Sequence, residues 1–240
     1  MSDPAPRVSL FVTCLVDAFY PKVGQAVVRT LERFGFQVQV PTGQTCCGLP
    51  FFNNGYRAEA AALAAKTAAA MAGDDPVVSP SGSCAWMLRN VYPELLPKPV
   101  ADGFCPRVVE YSQLLDRTDG WRTSSPPTKV TYHPSCHLLR GLEVEHEPKR
   151  VLGRVDGLTM CPMDRETHCC GFGGTFSVRF PEVSAGLLDD KLASAQRSGA
   201  ERIVVTDAGC MMQLDGGARR AGSALRVVHL AELLDETATS

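Results

Sequence analysis

Eight of the chain's ten cysteines repeat. Cys14 and Cys136 lie 122 residues apart, the pairs Cys46–Cys47 and Cys169–Cys170 lie 123 apart, and Cys84 and Cys210 lie 126 apart. Each pair is followed by a glycine, Gly48 or Gly171. Four positions that recur in one order at nearly constant spacing mark the duplication of a unit of roughly 115–120 residues. A chain built this way must fold the same cysteine framework twice.

The pattern between the cysteines alternates strands with helices. Val8–Thr13, Gln37–Val40, Pro76–Pro80, Lys129–His133, Leu158–Cys161 and Arg202–Thr206 read as short apolar or β-branched strands. Helical spacing is expected over Gly24–Phe34, Tyr56–Met71, the segment that follows Ser81–Cys84 to about Val91, Val108–Leu115, His146–Gly153, Pro181–Ser198, Met211–Ala221 and Leu230–Leu234. Pro93–Pro106 is rich in proline, and Asp116–Thr128 has the Ser, Pro and Gly content of a linker. The reading is α/β, with two tandem duplicated units at 1–120 and 128–240. Strands separated by helices imply parallel sheets. Ligands of such sheets gather outside the carboxyl ends of the strands, where the repeated cysteines fall.

One crevice per unit is therefore expected to collect Cys14, Cys46, Cys47 and Cys84, and a second to collect Cys136, Cys169, Cys170 and Cys210. Four converging thiolates are the ligand set of an iron–sulfur cluster. Neighbouring helix N-termini would stabilise the negative charge. Three rivals stand beside this reading. Structural zinc favours paired C-x₂-C ligands, and the sequence contains none. Disulfides need an oxidising compartment. Buried free cysteines act as small hydrophobes, which suits Cys105 and Cys161, the two without counterparts.

Other residues are weaker candidates. His133, His137 and His168 flank the second cysteine set as a proton relay, a replacement cluster ligand, or, as the favoured reading, a hydrogen bond to backbone or a thiolate. Arg140, Arg179 and Lys191 could meet an anionic carboxylate, although single basic residues usually lie in solvent. The Gly171–Gly174 run does not follow a strand in a G-x-G-x-x-G frame, so a nicotinamide loop is disfavoured.

Charge excludes more. Lys plus Arg number 24 against 26 Asp plus Glu, a balance of −2, with no basic run to hold nucleic acid. The alanine-rich stretch Ala58–Gly73 carries Glu59 and Lys66 and is too short to span a bilayer. Met1–Pro4 lacks a basic head and an apolar run, so no secretory signal is expected and the cytoplasm is the default compartment.

Several stretches together carry a family resemblance. They are Val8–Leu15 (VSLFVTCL), Cys46–Leu49 (CCGL), Val78–Cys84 (VSPSGSC), Cys136-His137, Cys169–Val178 (CCGFGGTFSV) and Gly209–Met212 (GCMM). Over essentially its whole length the chain resembles the duplicated Cys-Cys-Gly domains of heterodisulfide reductase and of iron–sulfur proteins that take part in oxidising glycolate and glycerol 3-phosphate. Within that group it is similar to the lactate-utilisation protein A family. The resemblance implies an oxidoreductase component that does not depend on NAD. It would act with a ferredoxin-like iron–sulfur protein and a third lactate-utilisation protein to oxidise L-lactate to pyruvate. The larger family often ends each unit with C-x₂-C, whereas here Met87 and Gln213 stand three residues after Cys84 and Cys210. A four-thiolate cluster per unit, most simply [4Fe–4S], is then expected, giving one or two per chain, with Met87 in the core. Two alternatives remain: a metal-stabilised scaffold without a redox role, and a component of a system oxidising glycolate or another 2-hydroxy acid.

Overall fold

The structure is a computed structural model that describes residues 5–239; the expectation made for Met1–Pro4 lies outside them. In chain order the first half contains β1 (Arg7–Leu10), α1 (Cys14–Phe19), α2 (Pro21–Arg33), β2 (Gln37–Gln39), α3 (Leu49–Asn53) and α4 (Arg57–Ala70). It continues through β3 (Val77–Ser79), α5 (Gly82–Trp86), α6 (Tyr92–Leu95), α7 (Lys98–Phe104), β4 (Val108–Glu110) and α8 (Tyr111–Arg117). The second half contains β5 (Thr123–His133), α9 (Glu147–Leu152), β6 (Val155–Met160), α10 (Thr175–Arg179) and α11 (Pro181–Arg197). It ends with β7 (Arg202–Val205), α12 (Ala208–Arg220), β8 (Arg226–His229), α13 (Leu230–Asp235) and β9 (Ala238–Thr239). Single π-helical turns, Met87–Val91 and His137–Gly141, follow α5 and Cys136.

The two sheets repeat one topology. Strand order is β2-β1-β3-β4 in the first and β6-β5-β7-β8 in the second, all parallel, with β9 adding antiparallel pairs to β5. The fold is therefore α/β with two tandem units. The central strands β3 and β7 are buried: Val77, Val78 and Ser79 in β3, and Ile203, Val204 and Val205 in β7, are all inaccessible, whereas the edge strands β2 and β6 are largely exposed or half-buried. In α2, the inward positions Val23, Ala26, Val27, Thr30 and Leu31 recur at helical spacing, and Pro21 opens the helix where no N–H is needed.

Two local expectations need correction, those for Val108–Leu115 and for the linker. The apolar run at Val108 begins a strand rather than a helix: β4 ends at Glu110, whose side chain caps α8 while Gln113 reciprocates. At the corresponding place in the second half, β8 runs into α13, capped by His229 with Glu232. A three- or four-residue strand that abuts a helix has no period of its own to read. The proline-rich segment forms α6 and α7, since Pro93 and Pro99 both sit in a first turn. The expected linker is cut short by β5, which starts at Thr123 and absorbs Pro126 and Pro127 at a register shift between Ser124 and Thr128.

The halves share one buried apolar cluster, in which Val8, Leu10 and Val78 pack with Val130, Tyr132 and Val204. Helix α2 lies against α13, where Arg29 pairs with Asp235 and Arg33 donates to the carbonyls of Leu234 and Thr237 at 2.6 and 2.7 Å. Among the described residues no helix is long and apolar enough to cross a membrane.

The cap of α8 carries a pH dependence. Glu110 is fully buried, accepts from the backbone and hydroxyl of Ser112, and burial pushes its carboxyl from 4.5 up to about 8. A raised folded pKa gives stability that is complete below 4.5 and is lost as pH rises towards 8. The unfolding free energy of the wild type should therefore fall relative to Glu110→Gln across that window, by about 1.4 kcal/mol per pH unit. Urea melts of both proteins at pH 5 and pH 8 check this. A constant difference would mean that the carboxyl titrates normally.

Candidate metal centre

Each repeated cysteine sits beyond the carboxyl end of a strand. After β1, Thr13 caps α1 by accepting from the Val16 amide, so Cys14 opens the helix. After β3, Cys84 lies in α5, and after β7, Cys210 lies in the first turn of α12. Cys136 precedes a π-helical turn after β5. The paired cysteines lie in the long connections that leave β2 and β6. The glycine after each pair is a conformational requirement: Gly48 has φ +90° and Gly171 φ +89°. In that conformation their amides donate to the sulfurs of Cys46 and Cys169 at 3.5 and 3.3 Å.

The thiols form two chains of contacts. Cys14 hydrogen-bonds Cys46, Cys46 bonds Cys47, and Cys47 bonds Cys84. The second chain runs Cys136, Cys169, Cys170, Cys210. All eight are free thiols. Cys46 is pulled down to about 3 by hydrogen bonds from Cys14 and Cys47, and Cys169 to about 2 by those from Cys136 and Cys170. The same bonds hold the Cys14, Cys47, Cys136 and Cys170 thiols above the ordinary range. Each quartet thus sheds one proton easily. Cys14, Cys47, Cys136 and Cys170 hold their protons more tightly, and a bound cation would displace them, as at other thiolate metal sites.

The structure differs from the two separate crevices expected. Both quartets line one cavity of about 260 Å³, together with Thr13, Ser81, Ser83, Ser135, His137 and Asp207. Contacts between the halves bring this about. The Gly82 amide donates to the Thr206 carbonyl at 3.2 Å, and the His229 Nε2 lies 2.9 Å from the Pro80 carbonyl. Asp207 joins the two centres. One carboxylate oxygen accepts from the Gly209 and Cys210 amides of α12, at 2.9 and 3.4 Å. The other accepts from the Ser81 hydroxyl and the Ser83 amide at the start of α5, both at 2.9 Å. Sequence reasoning did not single out Asp207. Its signal was an N-cap residue directly before a small-residue helix start, with Ser81 at the matching position of the first half.

The remaining candidates separate. His137 lines the cavity and packs on Trp86 at 4.8 Å between ring centroids, whereas His168 is exposed. The favoured reading of His133 as a hydrogen-bonding group does not hold, because neither ring nitrogen has a partner although the residue is fully buried. Burial, followed by the Lys191 charge, lowers it to about 3, which leaves the imidazole neutral. Lys191 is not a carboxylate anchor. It is buried, donates to the carbonyls of Arg165 and Glu166 at 2.5 and 2.9 Å, and is lowered to about 8 by burial. Arg140 is exposed and donates to the Thr167 carbonyl, and Arg179 is also exposed. Cys105 packs in the apolar core, and Cys161 is half-buried, its thiol facing the Thr159 carbonyl. Met87 is fully buried in the core, and Gln213 donates to Ser184.

The donor set fits an iron–sulfur group. Two sets of four sulfurs converge, amides point at the most acidic sulfur of each, and one set has an unpaired buried imidazole beside it.

Comparison with known proteins agrees with this arrangement. The model of the cysteine-rich CCG domain matches residues 8–89 and again 130–215. Lactate utilization protein A of an Exiguobacterium species is 43% identical over 96% of this chain and 98% of its own length. The protein of that name from Geobacillus kaustophilus is 40% identical over 95% and 98%. Among solved structures, glutamate racemase from Thermus thermophilus aligns over 98% of this chain and 79% of its own, at 16% identity and a TM-score of 0.31, too low for a shared fold to be read from it. The doubled domain match and the near full-length identity place the chain in the duplicated cysteine-rich CCG family, among the lactate utilization protein A sequences.

Proposed function

We propose that the chain is the iron–sulfur electron-transfer component of a cytoplasmic system that oxidises L-lactate to pyruvate. The observation that carries this is the pair of four-thiol sets opening onto one cavity. Cys14, Cys46, Cys47 and Cys84 would hold one [4Fe–4S] cluster, and Cys136, Cys169, Cys170 and Cys210 a second. Lactate oxidation releases two electrons and two protons. Each cluster accepts one electron at a time, so two in one chain match the electron count of the reaction.

The cavity lining supports placing the carbon chemistry on a partner. Among the described residues, no Lys or Arg lines the cavity to hold a carboxylate. A hydroxy acid entering it would meet thiols, serines, His137 and the Asp207 carboxylate. The relatives' name supplies the substrate, and the ferredoxin-like and third lactate-utilisation proteins are the expected partners.

Iron and acid-labile sulfide analysis of anaerobically purified protein tests the reading, with electron paramagnetic resonance before and after dithionite. About eight irons with matching sulfide and a reducible signal are expected. L-lactate should reduce the clusters only when the partner proteins are present. Zinc, or no metal after anaerobic reconstitution, would leave a scaffold role instead.

A further inference from the structure

The two halves can be superposed residue by residue through their strand registers. In the first sheet Leu10 pairs with Val78, and in the second Tyr132 pairs with Val204. The repeat spacings of 122 and 126 carry the first pair onto the second. The next residue on the leading strand is Phe11 in the first half and His133 in the second, and both are 0% exposed. Phe11 needs no polar partner there. His133 buries two ring nitrogens and satisfies neither.

An unpaired buried polar atom is costly, and an unbound ion or cofactor is a standard explanation for one. One set of atoms lies within reach. A His133 ring nitrogen and the sulfurs of Cys170 and Cys210 all lie within 4.8 Å of one another. Donors around a single tetrahedral metal, with metal–sulfur near 2.3 Å and metal–nitrogen near 2.1 Å, stand roughly 3.5–4 Å apart. The spacing therefore suits a shared metal.

We propose that His133 is an iron ligand of the second centre, so that the two halves hold chemically different clusters. The first centre is held by thiolates alone, with Phe11 where the second has imidazole. The second combines Cys136, Cys169, Cys170 and Cys210 with a neutral nitrogen donor, five donors rather than the four of a simple cubane, so that one iron of this centre takes more than one protein ligand. This inference rests on the iron–sulfur reading above.

A consequence for electron flow follows. The imidazole is a neutral donor added to four thiolates, a number both centres share, so it leaves the ligand charge of the two centres equal. A charge difference near the thiols is what separates the two halves. Gly48 approaches Ala60 and Leu63 as Gly171 approaches Ser184 and Leu187, a shift of 124 that sets Thr67 opposite Lys191. Both are buried, but only Lys191 places a cation beside its thiols. The second centre is the more easily reduced, and an electron moves downhill from the first half to the second.

The test is pulsed electron paramagnetic resonance on the full chain, labelled with ¹⁵N-histidine, reconstituted with iron and sulfide, and reduced. The wild type should show one ¹⁵N coupling of directly coordinated strength. His133→Phe, which copies the first half, should lose that coupling while keeping its iron on the four thiolates. His133→Cys, which keeps a donor, should lose the coupling while retaining iron, and it decides the matter if the phenylalanine variant does not fold. Iron and sulfide without the nitrogen coupling in the wild type, or a coupling that survives in either variant, would overturn the proposal and leave the cluster reading intact. Absence of iron and sulfide would overturn both, and metal analysis distinguishes that case.

Discussion

Replacing Asp207 with alanine is expected to lower the unfolding free energy by about 4 kcal/mol and to reduce iron loading in both halves together. The carboxylate is almost fully buried and accepts four hydrogen bonds, two from each half. Loss of the α12 cap alone costs about 0.5–2 kcal/mol. The Ser83 amide and Ser81 hydroxyl, left without their acceptor, add about 1–3 kcal/mol more. Asp207→Asn keeps one oxygen for α12 but turns an amide donor towards the Ser83 amide, so about half of the loss should remain. The effect on both centres follows from position. Asp207 fixes the start of the helix that carries Cys84 and of the helix that carries Cys210. Urea unfolding and iron content measure the two effects. A loss below about 1 kcal/mol, or depletion of the second centre alone, would show that the bridge between the halves carries little energy.

The duplication and the parallel strands were legible because they leave periodic marks in sequence: eight cysteines at near-equal spacing and short β-branched runs such as VVS and RIVV. Strands β4 and β8 were not, since each hands its last residue directly to a helix as a cap. The convergence of both quartets on one cavity was also hidden. It depends on how α2 meets α13 and on Asp207 reaching Ser81 across 126 residues of chain. No local pattern encodes such a contact. His133 was visible as a candidate next to Cys136, but its unpaired nitrogens and its match to Phe11 required the burial and register of two strands. Lys191 looked like a surface cation, and only the fold buries it against two carbonyls.

Removing one cysteine pair should empty one half and spare the other. The double variant Cys46→Ala/Cys47→Ala leaves Cys14 and Cys84, and Cys169→Ala/Cys170→Ala leaves Cys136 and Cys210 with His133. Two thiolates are too few for a cubane held by four. Iron should therefore fall from about eight to about four per chain in either variant. The surviving centre should keep its own resonance signal, of higher midpoint potential when the first half is emptied. The reason lies in the contacts. Hydrogen bonds among the thiols run within each quartet, and serines and Asp207 stand between the quartets. The variants should remain folded, because the apolar clusters continue on both sides of each cysteine pair and a Cys→Ala change removes only one sulfur. A thermal melt within a few degrees of the wild type checks that condition. If either variant lost all its iron while still melting cooperatively, the eight sulfurs would have to serve one joint centre across the cavity. The assignment of one cluster to each half would then be wrong.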